Sequence, residues 1–117
     1  MKNDNLKQRT KEFALQVIRM SEALPKTKAA DVVGRQLLRS ATSLAANYRA
    51  ACRGRSKADF IAKLGIVEEE ADESCFWLEI IDDAKMLPSS DLRALRAEAD
   101  ALTAIMVSSI RTARANS

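Results

Sequence analysis

The chain has 117 residues, one domain by length, and its 47% hydrophobic and 30% charged side chains make a globular rather than a disordered balance. It contains no histidine, which removes the commonest general base and the commonest transition-metal ligand, and two cysteines cannot build a structural zinc site. Aromatics amount to 4%, with three glycines and two prolines, a composition that favours helix over sheet.

The opening MKNDNLKQRTKEF has no apolar signal core, and no apolar run approaches membrane-spanning length. A cytoplasmic protein without a membrane segment is expected, with Cys52 and Cys75 as free thiols. A glycine-rich phosphate loop and a serine elbow are both missing, so catalysis would have to run on carboxylates alone. No catalytic residue, metal site or cofactor is expected.

Helix one is expected over about 5–24, with Leu6, Thr10, Phe13, Val17, Met20 and Leu24 repeating at alternating four-three spacing before Pro25 stops it. Helix two, about 29–53, carries Val33, Leu37, Ala41, Leu44, Tyr48 and Ala51, widened by Leu38, Ala45 and Cys52. Arg53-Gly54-Arg55 makes the turn, with Gly54 suited to a left-handed cap. Ser56 and Asp59 then mark a capped start for helix three, about 57–87, whose seam is Phe60, Leu64, Val67, Ala71, Ser74, Leu78 and Ile81. Beyond Pro88, Ser89-Ser90-Asp91 restarts the chain as helix four, about 90–114, with Leu92, Leu95, Ala99, Leu102, Met106 and Ser109 inward. No segment alternates with period two. Four amphipathic helices with short connections predict an all-α, antiparallel up-down-up-down four-helix bundle filling residues 1–117.

The net charge of +3 conceals a segregation. Residues 31–57 hold six bases and one acid, whereas residues 58–87 hold two bases and nine acids. Opposite charge on neighbouring helices can favour their pairing, each exposed pair giving about 0–1 kcal/mol. Alternatively the two charged faces point apart, one toward nucleic acid and one toward protein.

At 100° per residue, helix two separates into the apolar seam and two further stripes. Gln36, Ser40, Ser43, Asn47, Ala50 and Gly54 form a small, amide-bearing stripe suited to close contact with another helix, inside the bundle or in another subunit. Its serines have no histidine or well-placed lysine to activate them, which disfavours nucleophilic catalysis. Arg35, Arg39, Arg49 and Arg53 lie roughly opposite the core, with Arg55 following in the turn. Arginine forks suit phosphate, and a row of them can follow a nucleic-acid backbone. Tyr48 falls on the core seam, away from any base-stacking role, so sequence-specific readout is not expected. In helix three, Glu70 and Glu73 share a stripe with Ile66, Trp77 and Ile80; pairing with an arginine across an interface is the natural role of these acids.

The run QLLRSATSLAANYRAACRGRSKADFIAKLGIVEEEADESCFWLEI, residues 36–80, resembles the four-helix-bundle proteins related to those encoded in the intervening sequences of bacterial 23S rRNA genes. The resemblance rests on Gln36, Leu37, Arg39, Ser40, Ala41, Ser43, Ala45, Ala46 and Asn47, then on Gly54, Ser56, Phe60 and Leu64, with Pro25 and Pro88 in place. Family members often carry Glu-Gly soon after the asparagine; here Arg49-Ala50-Ala51 stands there and makes the outer face more basic. The resemblance implies a ring, typically a homo-pentamer. A similar protein, the accessory variability determinant of diversity-generating retroelements, binds a reverse transcriptase and nucleic acid.

Two readings of function follow. One is a non-enzymatic, homo-oligomeric scaffold that contacts RNA or DNA through Arg35, Arg39, Arg49, Arg53 and Arg55. In the other, a protein-interaction module, arginines meet the acids of helix three in a neighbouring subunit, or the chain binds a reverse transcriptase or other protein. In both, Gln36, Ser40, Ser43, Asn47, Glu70 and Trp77 are expected at a helix or subunit contact.

Overall fold

The structure, a computed structural model, describes residues 2–116 and the side chains of residues 5–116. Four helices follow one another: α1 Lys2–Ser21, α2 Lys28–Ala51, α3 Lys57–Asp83 and α4 Ser89–Ala115. They form a rod of 48 × 21 × 20 Å. Backbones approach around a square, α1 on α2, α2 on α3, α3 on α4 and α4 on α1, while the two diagonals do not meet. The α2–α3 pair packs most extensively and the α1–α4 pair least. Contacts fix the directions: Arg39 meets Glu73 while Ser43 meets Glu70, and Cys75 meets Thr103 while Asp82 meets Arg96. Sequential neighbours therefore run antiparallel.

The core comes from one stripe of each helix: Phe13 and Val17; Leu37, Ala41, Leu44 and Tyr48; Leu64, Val67, Ala71, Leu78 and Ile81; Leu92, Ala99, Leu102 and Met106. Each large member contributes about 1.5–3 kcal/mol by leaving water. In the last turns of α4 the buried residue is Ile110, and Ser109 is half-buried. A straight helix drifts about 20° per heptad against a strict four-three repeat, and that drift turns the larger, apolar side chain inward.

Helix ends differ from expectation where backbone geometry, not periodicity, decides. α1 stops at Ser21, three residues before Leu24. Glu22, Ala23 and Leu24 donate instead to Arg19, Met20 and Ser21 in tight turns of 3.2, 2.9 and 3.2 Å, because a residue before proline is pushed out of the α region. α2 starts one residue early, where the Thr27 hydroxyl accepts from the Ala30 amide at 3.2 Å. It ends at Ala51, capped by Cys52. Ser56 caps α3 by accepting from the Asp59 amide at 3.0 Å, and the Asp59 carboxylate accepts from the Arg55 amide at 3.3 Å.

Gly54 does not supply the left-handed cap expected of it, since no glycine has a positive φ. Space constrains it instead: a Cβ there would lie 3.1 Å from the Ala51 carbonyl oxygen and 3.3 Å from the Phe60 nitrogen. The left-handed residue is Lys85, φ 57°, just past α3. α3 ends at Asp83 rather than near Leu87 because Lys85 donates to Asp82 and Met86 to Ile81, both at 3.0 Å, closing a Schellman cap.

The clasp between α2 and α3

Where α2 and α3 run together, two buried serines meet among the larger core side chains. The Ser40 and Ser74 hydroxyls lie 2.9 Å apart, with the Leu37 and Glu70 carbonyl oxygens within reach at 3.1 and 2.9 Å. Two hydroxyl hydrogens serve these three contacts, and no buried side-chain polar atom among the described residues lacks a partner.

Outward from this pair the same helices carry a charged network. The Arg39 guanidinium donates to both oxygens of Glu70, at 3.1 and 3.0 Å, and to Glu73 at 2.5 Å. Ser43 donates to Glu70 at 3.1 Å, and the Asn47 amide donates to the Ser43 carbonyl and hydroxyl at 2.8 and 3.0 Å. The Trp77 indole N–H donates to Glu73 at 3.1 Å. One chain of contacts thus runs from Asn47 through Ser43, Glu70, Arg39 and Glu73 to Trp77. Gln36 is half-buried on the same side of α2. The hydrogen bonds that Arg39 donates to Glu70 and then to Glu73 raise its pKa, and Arg39 followed by Trp77 holds the Glu73 carboxyl below its ordinary value.

Of the five arginines considered for nucleic acid, two are occupied. Arg39 spans the clasp, and its carboxylate partners belong to its own chain rather than to a neighbour. Arg35 pairs with Asp31 one turn earlier at 3.1 Å. The Arg49, Arg53 and Arg55 side chains enter no ion pair among the described residues.

Arg53 and Arg55 lie at the α2–α3 turn, with Lys57 beside them. The last turn of α4 reaches the same end, since Lys57 donates to the Asn116 carbonyl and Arg111 and Arg114 border a surface hollow with Glu68. Arg49 lies farther along α2, where a groove of about 510 Å³ runs against α1, lined by Lys7, Gln8, Lys11, Ala45, Ala46 and Arg49. The α1 share of this basic cluster was missed by the reading of α2 alone, because it exists only once α1 is laid beside α2.

Chemistry elsewhere is quiet. Burial pushes the Cys75 thiol up to about 11, so it is protonated at neutral pH, and its Sγ donates to Asp100 at 3.3 Å. Burial likewise raises the Tyr48 pKa. Among the described residues no three His, Cys, Asp or Glu side chains come together as a metal site. No helix is long and apolar enough to cross a membrane.

The fold is that of an antiparallel four-helix bundle, with α2 and α3 joined by a Ser/Asn–Glu–Arg–Glu–Trp network. The chain belongs to the 23S rRNA-intervening sequence protein family, whose model matches residues 2–108. It is similar to the crystal structure of a protein of unknown function from the S23 ribosomal protein family of Bacteroides thetaiotaomicron VPI-5482. That likeness has 31% identity and a TM-score of 0.86 over 95% of this chain and 99% of the other. No curated protein matches the chain.

Proposed function

We propose that the chain is a non-enzymatic cytoplasmic scaffold that assembles with copies of itself, a pentameric ring being favoured, and holds nucleic-acid backbone on its basic end. One observation carries the nucleic-acid part: Arg53 and Arg55 stand exposed and enter no ion pair among the described residues, at the end of the rod where Lys57 meets the last turn of α4. Arg49 lies farther along α2, on the α1–α2 groove, and is not part of that end. With Arg39 and Arg35 held by carboxylates, the contact moves from the row along α2 to the α2–α3 turn. The recognition is of phosphate and not of bases, since Tyr48 is buried in the core.

The test is fluorescence anisotropy with single-stranded RNA and duplex DNA over a range of salt. Binding should weaken steeply as salt rises, and Arg53→Ala with Arg55→Ala should lower affinity for both about equally, while Arg35→Ala leaves it unchanged. No binding at low salt, or binding indifferent to the double substitution, would remove nucleic acid from the reading.

A further inference from the structure

The outer face of α3 carries the most conspicuous unexplained side chain. Phe76 is 49% exposed and points away from the core: Ser74 before it faces Ser40, Cys75 reaches Asp100 of α4, and Trp77 reaches Glu73 toward α2. Its ring stands against Trp77 with centroids 4.9 Å apart and planes at 71°, an edge-to-face contact. Trp77 is itself tied through Glu73 to Arg39. An aromatic held in place before binding loses little freedom when it is covered.

Around Phe76, Glu69 and Asp72 on the preceding turns and Glu79 and Asp83 on the following ones are all exposed, and none enters an ion pair among the described residues. No lysine or arginine occurs between Lys63 and Lys85. Arg96 of α4 lies near Glu79 and Asp83 at one edge; elsewhere the apolar knob sits in an acidic collar that repels a polyanion. Its counterpart has alanines on its floor and cations on its rim. The α1–α2 groove has that composition, with Ala45 and Ala46 bordered by Lys7, Lys11 and Arg49. Phe76 cannot enter the groove of its own chain, because the α1–α2 wall lies across the bundle from the outer side of α3.

We infer that Phe76 with its acidic collar docks in the α1–α2 groove of a second copy of this chain. The contact rests on the reading of the chain as a self-assembling scaffold and names the surfaces that assemble it. Knob and groove are different patches, so the contact is head-to-tail and every copy keeps one of each for the next, the connectivity a ring requires. The cations of the basic end at Arg53 and Arg55 are left outside this contact.

The experiment uses chains that lack one half of the contact. Phe76→Glu removes the knob and Ala46→Glu spoils the groove, both at exposed positions, so unchanged far-ultraviolet circular dichroism is expected. By light scattering and native mass spectrometry the wild type should be oligomeric and each variant alone monomeric. Their equimolar mixture should give a dimer of one of each, because only one intact knob and one intact groove remain. Charge reversal gives an independent check: Asp72→Lys and Lys11→Glu should each raise the dissociation constant about tenfold, and together restore much of it. Variants that keep the wild-type mass, or a mixture that stays monomeric, overturn the inference while the scaffold reading survives. A wild type that is monomeric at all concentrations overturns both.

Discussion

The α2–α3 and α1–α4 seams close the same square bundle by different means. Between α2 and α3 lie a buried serine pair and a network joining Asn47, Ser43, Glu70, Arg39, Glu73 and Trp77. Between α1 and α4 the backbones approach least, and the joining polar contact is the two-pronged Arg9–Glu98 pair at 2.7 and 2.8 Å. Apolar burial drives both seams, but only the first prescribes which helix faces which and at what register. A hydroxyl or carboxylate displaced from this network would be left without its partner. α1 meets α4 through a partly exposed pair rather than a buried network and is the helix the bundle can most readily release.

The largest way to break the contrast is to overfill the stronger seam. Ser40→Leu forces a branched side chain between α2 and α3 and strips Ser74 of its partner; a loss of about 2–3 kcal/mol is expected in urea unfolding. Arg39→Ala leaves Glu70 and Glu73 together without their cation. Because the guanidinium is about half exposed, a loss of about 1 kcal/mol is expected. Arg9→Ala at the weaker seam should cost less, about 0.5 kcal/mol or under. Hydrogen exchange should show α1 amides opening before those of α2 and α3, and equal protection of all four helices would contradict the comparison.

Acid should weaken the α2–α3 seam at Glu73, as it should the α3–α4 contact at Asp82. The Glu73 pKa is lowered by Arg39 and then Trp77, so its stabilisation is present above the ordinary glutamate value of about 4.3 and is lost as pH falls through the depressed one. Glu73→Gln should be less stable than the wild type at neutral pH and should lose less on acidification, as thermal melts across pH 2–7 would show. One substitution should act with the opposite sign. Lys85 holds a left-handed conformation that glycine adopts without strain, so Lys85→Gly should raise stability by about 0.5–1 kcal/mol.

Much of the bundle was legible in the sequence because periodicity and burial are the same information. The seams through Leu37, Leu44, Leu64, Leu78 and Leu102 are the buried stripes, and Ser56 caps α3. From the small stripe of α2, Ser40 meets Ser74 and Ser43 meets Glu70 of α3. The role of Arg39 was not legible, because a helical wheel gives the direction of a Cβ and not the reach of a guanidinium. Arg39 starts on the outer side of α2 and bends across to α3. The ends at Ser21 and Asp83 escaped because they depend on turn hydrogen bonds and on one positive φ, neither of which leaves an apolar period.

By itself, then, the sequence determined the class of fold, the inward faces and the separation of charge between α2 and α3, because hydrophobic spacing and residue type suffice for these. Tertiary structure alone decided which charges meet and which remain. It tied Arg39 to Glu70 and Glu73 and laid Lys7 and Lys11 beside Arg49. The physical reason is distance: electrostatic and hydrogen-bond partners are chosen within a few ångströms, and residues far apart in sequence reach that range only after the helices have packed.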